Sequence, residues 1–207
     1  MDDTPADKPP SKGEQTRAAI VEAAYSLFLK NGFHGATMRQ IADGAGLALG
    51  GIYNYFDSKE AIFAAVLDTY HPYRQVLPQL EQADGDTVEA FIRDAARRAR
   101  PALAGAETRL LPLMFIEIVE FQGRHLSQLA EMISPALFKF AQSFAGRRGK
   151  LRPVPLPVML RMFIGLFAGY LLTELVLKNT PALAQGQEEA FEGMVDIYLH
   201  GIVEPEA

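Results

Sequence analysis

Cysteine does not occur among the 207 residues of the chain. The chain therefore has no disulfide framework, no thiolate zinc site and no cysteine nucleophile. Basic charge is also scarce, because 20 Lys and Arg stand against 25 Asp and Glu and leave a net charge of -5. This balance argues against a basic nucleic-acid coat and against a polybasic membrane anchor.

A long uninterrupted apolar segment is missing as well. The most apolar stretch, residues 154–177, begins with two prolines and contains Arg161 and Glu174. Its unbroken part falls short of the roughly 20 residues of a membrane span. We therefore expect a buried helix of a soluble protein there, and no membrane partner. The N-terminus has no apolar run that could act as a secretion signal, which favours a cytoplasmic protein.

Patterns that carry catalysis are sparse. The four histidines are far apart, and no H-E-x-x-H motif and no phosphate- or dinucleotide-binding fingerprint occurs. Glu117 and Glu120 share a helix face and could form an acid–base pair, although an exposed acidic face or a polar pocket group is commoner. We expect neither an enzyme nor a metal site nor a cofactor.

The hydrophobic spacing is helical nearly throughout, and period-two strand patterns are missing. The predicted fold class is therefore all-α. We divide the chain into a flexible arm over residues 1–13, a domain of four short helices over 14–70 and a larger helical domain over 71–207. The second boundary follows His71-Pro72, because proline disfavours helix in the residue before it. Helices of the larger domain are predicted at about 87–100, 110–122, 126–144, 157–178 and 188–202.

Two short helices of the smaller domain are joined by a tight glycine turn. Thr37-Met38-Arg39-Gln40 is a capping box that starts the first helix, and Gly46 separates it from a second helix over about residues 47–55. This is the form of a helix-turn-helix, whose second helix enters the DNA major groove. The second helix has no charged residue, so its small and polar side chains suit either DNA or a tyrosine-rich packing face. The spacing alone leaves both interpretations open.

The stretch from Thr37 to Phe63 reads TMRQIADGAGLALGGIYNYFDSKEAIF. Its threonine cap, its A-G turn, its G-x-I-Y-x-Y-F segment and its S-K-E tripeptide resemble the signature of the TetR family of transcriptional regulators. The similarity extends over roughly residues 16–67. It implies an N-terminal helix-turn-helix DNA-binding domain followed by a helical ligand-binding and dimerisation domain. It also implies a homodimer that binds a palindromic double-stranded DNA operator, usually as a repressor that a small-molecule effector releases.

The resemblance assigns DNA contacts residue by residue. The DNA-binding residues that it implies are Thr37, Arg39, Leu49, Gly50, Gly51, Tyr53, Asn54, Tyr55 and Lys59. Among them, Thr37, Tyr53 and Lys59 would bind phosphate, and Arg39 would reach the DNA backbone or a groove edge. The two glycines would allow close approach, and Asn54 and Tyr55 would face the groove.

Two positions depart from the family pattern. Ala48 stands where a serine or threonine often caps the recognition helix, and Leu49 stands where a polar or basic residue is frequent, although it could contact a thymine methyl group. The segment from Glu14 to Asp68 has four Lys and Arg against six acidic residues, a balance of 4 − 6 = −2. We predict a shallow salt dependence of DNA binding, at about 0.9 in log–log slope per phosphate contact. The same features motivate an alternative, a small-molecule-binding helical protein with weak or no DNA binding.

In the larger domain, two stripes of apolar side chains at helical spacing suggest either plain core or the lining of an effector cavity. The candidate ligand-binding residues are Met114, Glu117, Ile118, Phe121, Phe163, Phe167 and Tyr170. They favour a mainly hydrophobic or aromatic effector, with Glu120, Glu174 and His125 as further polar candidates. The last two helices are expected to form the dimer. Its candidate residues are Gly165, Gly169, Leu172, Val176, Phe191, Val195 and Tyr198.

Overall fold

The computed structural model describes residues 9–103, 105–143, 147, 149, 151–177, 180 and 187–203, with the side chains of residues 106, 107, 187 and 188 excepted. This part of the chain forms ten α-helices. They are α1 (Lys12–Gly35), α2 (Met38–Gly44), α3 (Leu49–Ile52), α4 (Lys59–Tyr70), α5 (Tyr73–Glu81), α6 (Val88–Leu103), α7 (Ala106–Phe121), α8 (Arg124–Gln142), α9 (Leu156–Leu177) and α10 (Gln187–Ile202).

The predicted all-α fold is confirmed. Within the described ranges, the β-structure is an isolated antiparallel bridge between Leu151 and Val203. The sequence pattern missed α5, a short helix with a proline inside it. Pro112 lies within α7, and Pro135 lies within α8. Residues 1–8 of the predicted flexible arm lie outside the residues that the structure describes.

The chain divides into two compact units. The first unit contains the chain up to Tyr70 together with Pro112–Gln122, and the second contains His71–Leu111 and the chain from Gly123 onward. The sequence-based domains share the division after residue 70. They assigned the C-terminal part of α7 to the larger domain, whereas its side chains pack in the first unit.

The core of the first unit forms where α1, α2 and α4 meet. Phe28, Ile41, Ile52 and Phe63 are fully buried there, and Leu113 of α7 joins them. Burying side chains of this size contributes about 1.5–3 kcal/mol each. The short helices α2 and α3 are therefore held by shared hydrophobic packing, because helices of this length are marginal alone in water.

Helix α1 begins and ends at identifiable local signals. Ser11 and Glu14 form a capping box at its start, and the helix begins at Lys12, two residues before the predicted start of the domain at residue 14. Near its end, Gly32 has φ 71° and ψ 172°, and the last turn continues beyond it. Glycine adopts this conformation without the clash that a Cβ would cause. Gly32 therefore interrupts the helix without ending it.

The second unit has its own core of aromatic and aliphatic side chains. Phe91 stacks on Phe140 at 5.4 Å between ring centroids, and Phe163 meets Tyr198 at 5.9 Å. The Tyr198 hydroxyl donates to the carbonyl of Met159 at 3.3 Å. Burial raises the pKa of Tyr198 to about 12, because the phenolate would lose its hydration. This ring therefore belongs to the packed interior of the unit.

A charged cluster lies beside this core on α6. Arg98 Nε donates to Asp94 Oδ2 at 2.6 Å, the backbone N–H of Asp84 donates to the same oxygen at 3.0 Å, and Arg97 pairs with Oδ1. The Arg98 hydrogen bond, followed by that of Asp84, lowers the pKa of Asp94 to about 2. The ionised carboxylate therefore stabilises the start of this unit at neutral pH.

Helix α9 is more exposed than predicted. It is long and apolar enough to cross a membrane by length and composition, but only 17% of its most apolar window is buried within the chain. We expected a buried helix, and the structure corrects this: Met159, Phe163 and Leu171 face the core, whereas the opposite side carries exposed apolar residues. The described part of the chain does not cover that side.

Candidate nucleic-acid interface

Helix α2 starts as the sequence predicts. The hydroxyl of Thr37 accepts from the backbone N–H of Gln40 at 3.2 Å, and the Gln40 side chain accepts from the backbone N–H of Thr37 at 2.9 Å. The predicted capping box is therefore confirmed. Arg39 follows in the first turn with its side chain exposed, and it is free to reach a partner.

Helix α3 is short and lacks a side-chain cap. It spans four residues and continues as a turn, whereas a helix to residue 55 was predicted. Ala48 is the N-cap residue and makes no side-chain hydrogen bond, as the missing hydroxyl predicts. Ile52 is fully buried and fixes the orientation of the helix against the first unit's core.

Packing against the described residues does not require glycine at either glycine position of α3. A Cβ built on Gly50 or Gly51 meets no atom of those residues within 4 Å. Glycine costs about 0.8–1.0 kcal/mol relative to alanine in a helix interior, so folding alone would favour alanine. Beside them, Tyr53 is 49% exposed and Asn54 is exposed. This surface is small, uncharged and equipped with two hydrogen-bonding side chains.

Two residues predicted to face the DNA lie partly against the protein. Leu49 and Tyr55 are half-buried and pack on the core of the first unit. Each keeps part of its side chain accessible. Their packing reduces the surface that either could offer to a groove, and the spacing could not reveal this because α3 is so short.

Lys59 lies in an unexpected environment. Its ammonium donates to the carbonyl oxygens of Phe33 and Ala36, each at 2.7 Å, and lies 4.3 Å from the centroid of the Phe33 ring. Two of its three N–H groups therefore bind the turn between α1 and α2. The predicted phosphate contact would have to use the third.

Arg17 is a cation that the motif did not assign to the site. Its guanidinium carbon lies 4.8 Å from the centroid of the Phe56 ring, directly after the turn that follows α3. The cation–π contact places a positive charge beside the α3 surface. The sequence showed Arg17 as one of the few cations of the domain, but its position needed the fold of α1 against α3.

The candidate ligand-binding residues divide between the two units. Met114, Glu117, Ile118 and Phe121 belong to the first unit, where Glu117 is fully buried and Ile118 is 56% exposed. The other candidates form an aromatic group in the second unit: Phe163, Phe167 and Tyr170. The second group is brought together by α9 and packs around Phe191.

The candidate dimer residues also separate into two sets. Phe191, Val195 and Tyr198 are buried in the second unit's own core, so their side chains do not lie on an exposed face. This corrects the expectation for the α10 half, because the inward stripe of α10 is used within the chain. On α9, by contrast, Gly165, Leu172 and Val176 are exposed. A Cβ built on Gly169 would lie 4.0 Å from the Cε atom of Met194.

The arrangement defines a class of protein. A helix pair joined by a glycine turn, with a capped first helix and an accessible second helix, is a helix-turn-helix on a small helical core. A larger helical unit follows it along the chain. Among the described residues, no three His, Asp or Glu side chains come together as a metal site. The fold and the site are those of a helix-turn-helix DNA-binding regulator.

Comparison with known proteins finds a family match for the helix-turn-helix segment. The profile described as bacterial regulatory proteins, tetR family, matches residues 20–66. The uncharacterized HTH-type transcriptional regulator YfiR of Bacillus subtilis is 24% identical over 86% of this chain and 88% of its own length. The HTH-type transcriptional repressor KstR2 of Rhodococcus jostii is 34% identical, but over 37% of this chain and 40% of its own. Residues 20–66 of this chain therefore match the DNA-binding segment of the TetR family of transcriptional regulators.

A solved structure has the same fold over most of the chain. SmeT, the repressor of the Stenotrophomonas maltophilia multidrug efflux pump SmeDEF, superposes with a TM-score of 0.62. The match is 24% identical and covers 92% of this chain and 93% of SmeT. At this identity the likeness establishes the fold and leaves the ligand open.

Proposed function

We propose that the chain is a homodimeric, cytoplasmic repressor that binds a palindromic operator through α2 and α3 and is released by a small, mainly hydrophobic or aromatic effector. The surface of α3 carries the DNA-binding part of this proposal. A Cβ on Gly50 or Gly51 would contact none of the residues that the structure describes, so packing there does not require glycine. Tyr53 and Asn54 are exposed beside them. A partner whose backbone or bases come close to α3 explains this composition.

Few cations are available to neutralise phosphates. Arg39 and Arg17 are exposed near the two helices, whereas Lys59 is largely committed to the turn after α1. Neutral donors such as Thr37 and Tyr53 would make up other phosphate contacts. With two or three cationic contacts, the log–log slope of affinity against salt is expected near −2 to −3, at about 0.9 per contact.

An exposed stripe on α9 supports a dimer. Val158, Met162, Gly165, Gly169, Leu172 and Val176 follow one another at alternating spacings of four and three residues, which is the spacing of a helix-packing seam. Beside it, an open apolar groove of about 450 Å³ includes Met194 and Ile197 of α10. A second copy of α9 and α10, related by a two-fold axis, would cover both surfaces at once.

The dimer would also explain why this helix is apolar without being a membrane span. A Met162→Glu variant places a charge in the stripe, so we expect it to sediment as a monomer where the parent chain sediments as a dimer. Val119→Glu, at a position of α7 that is 77% exposed, is the control and should leave the dimer intact. A parent chain that remains monomeric, or that partitions into lipid vesicles, would argue against this part of the proposal.

The effector part rests on the aromatic group of the second unit. Phe167 and Tyr170 are half-buried and pack near Phe191, so a modest rearrangement of α9 would admit an apolar or aromatic molecule. Candidate compounds should raise the melting temperature of the protein and release it from the operator. Compounds that stabilise the protein but never change operator binding would contradict the effector role.

The experiment that tests DNA binding is selection from a random duplex library, with sequencing of the retained duplexes. We expect a palindrome to be enriched, and a Tyr53→Phe variant to bind it more weakly because a phosphate hydrogen bond is lost. Tyr73→Phe is the matched control, because it removes a tyrosine hydroxyl in α5, outside α2 and α3. If folded, dimeric protein retains no duplex, the alternative of a ligand-binding protein without DNA binding is favoured.

A further inference from the structure

Glu120, near the C-terminal end of α7, makes a specific contact in the first unit. Its Oε1 accepts from the backbone N–H of Phe33 and its Oε2 from the backbone N–H of His34, both at 3.1 Å. The side chain is 19% exposed, and His34 Nε2 lies 3.6 Å from Oε2. Each carboxylate oxygen therefore binds one main-chain donor at the end of α1.

These two N–H groups are available because of Gly32. Its positive φ interrupts the helical ladder, so the residues that follow lose their partners in the preceding turn. Glycine also leaves room for the carboxylate, because a Cβ built on Gly32 would lie 3.1 Å from Glu120 Oε1. The Phe33 N–H lies in a partly buried position, where a main-chain donor without a partner is costly. Glu120 supplies its partner from a helix 87 residues away in sequence.

The same turn is bound from its other side by Lys59. While Glu120 accepts from the N–H groups of the turn, Lys59 donates to the carbonyl oxygens of Phe33 and Ala36. The ring of Phe121, next to Glu120, packs against Phe33 at 4.5 Å between centroids. Two opposite charges and an aromatic contact thus hold the three or four residues that lead into α2.

We propose that Glu120 is a positioning residue for the helix-turn-helix, which fixes the turn after Gly32 and thereby the direction in which α2 starts. Thr37, the N-cap residue of α2, follows Ala36 directly, so a shift of the turn moves the cap and Arg39 with it. This inference rests on the proposed DNA binding. Glu120 itself touches no DNA; it raises the fraction of molecules whose α2 and α3 are placed for binding.

The test compares Glu120→Ala and Glu120→Gln with the parent chain on the selected operator. If release of the turn reduces the binding-competent fraction to about one tenth, the apparent Kd rises about tenfold. Gln keeps one acceptor oxygen and should recover part of the affinity. Glu131→Gln, at an exposed position of α8 in the second unit, removes the same charge and should leave the Kd unchanged.

Two further readouts separate positioning from direct contact and from general destabilisation. The salt slope of binding should stay the same in Glu120→Ala, because no phosphate contact is lost, whereas Arg39→Ala should reduce it by about 0.9. Amide hydrogen exchange at residues 33–36 should accelerate at least tenfold, while exchange in the core of α4 does not change. This local effect would not follow from uniform loss of stability.

The outcomes distinguish this inference from the proposed function. If the parent chain selects no duplex, the DNA-binding proposal fails and this inference fails with it. If the parent chain binds and Glu120→Ala binds within twofold of it, only the positioning role is refuted. A change in salt slope equal to that of Arg39→Ala would also refute it, because Glu120 would then act on phosphate contacts.

Discussion

Replacing Gly50 of α3 by alanine should separate stability from DNA binding. The added Cβ meets no atom within 4 Å, and alanine is favoured over glycine in a helix interior by about 0.8–1.0 kcal/mol. Since α3 has only four residues, this value is an upper limit, and the gain is expected to be at most about 1 kcal/mol. For a chain of this size, this corresponds to a rise in melting temperature of at most about 2–4 °C.

The affinity for DNA should change in the opposite direction. If the backbone of α3 lies against the DNA, the methyl group of Gly50→Ala must be accommodated in a packed interface. Inserting a methyl group into such packing costs about 1–3 kcal/mol, which corresponds to at least a fivefold increase in Kd, since 1.4 kcal/mol is a factor of ten. The prediction is therefore a protein that is equally or more stable and binds its operator less tightly.

Urea denaturation and fluorescence anisotropy with a labelled operator measure the two quantities. Gly193→Ala in α10, where a built Cβ also meets nothing within 4 Å, controls for the effect of helix propensity on stability. Operator affinity equal to that of the parent chain would refute the close approach of DNA to Gly50. A marked loss of stability would refute the packing argument instead.

Three further substitutions test other contacts of the structure. Gly32→Ala should destabilise the protein by about 1–2 kcal/mol in urea denaturation. Alanine in this positive-φ conformation is strained by about 1–3 kcal/mol, and about 0.4–1 kcal/mol is offset because alanine lowers the conformational entropy of the unfolded chain. An unchanged denaturation midpoint would exclude the strain. Lys59→Met should lower the free energy of unfolding by about 2–3 kcal/mol, because two carbonyl oxygens lose a charged hydrogen-bond donor. Lys30→Met, at an exposed position, is the control, and a loss of stability at Lys59 smaller than at Lys30 would contradict the role of the hydrogen bonds. Asp94→Asn should cost about 1–2 kcal/mol at pH 7. The pKa of Asp94 in the folded protein is lowered from 3.8 to about 2. Its contribution to stability is therefore present above about pH 4 and is lost as the pH falls towards 2, so the difference in melting temperature between parent and variant should shrink over that range. A difference independent of pH would show that the charge is not responsible.

Much of the fold could be predicted from the sequence because its signals are local. The capping box of Thr37 and Gln40 depends on residues three apart, and the positive φ of Gly32 depends on the backbone freedom of one residue. The long helices α8 and α9 follow from apolar spacing over many residues. The family resemblance is equally local, because its positions lie within one continuous segment from α1 to α4.

The details of the site could be predicted less well. The same spacing that identifies a helix does not show which of its apolar stripes faces the chain's own core. Phe191, Val195 and Tyr198 form such a stripe on α10 and were expected at an interface, but they pack inside the second unit. The exposed stripe of α9 became evident only once both sides of the helix could be compared.

The sequence by itself determined the helical fold class, the helix-turn-helix and its missing cap at Ala48, because each depends on neighbouring residues. The tertiary structure alone decided that Lys59 binds the turn after α1, that Arg17 lies at Phe56 and that Glu120 accepts from Phe33 and His34. Such contacts join residues far apart in sequence. Their partners are chosen by the packing of whole helices, for which a single sequence contains no periodic signal.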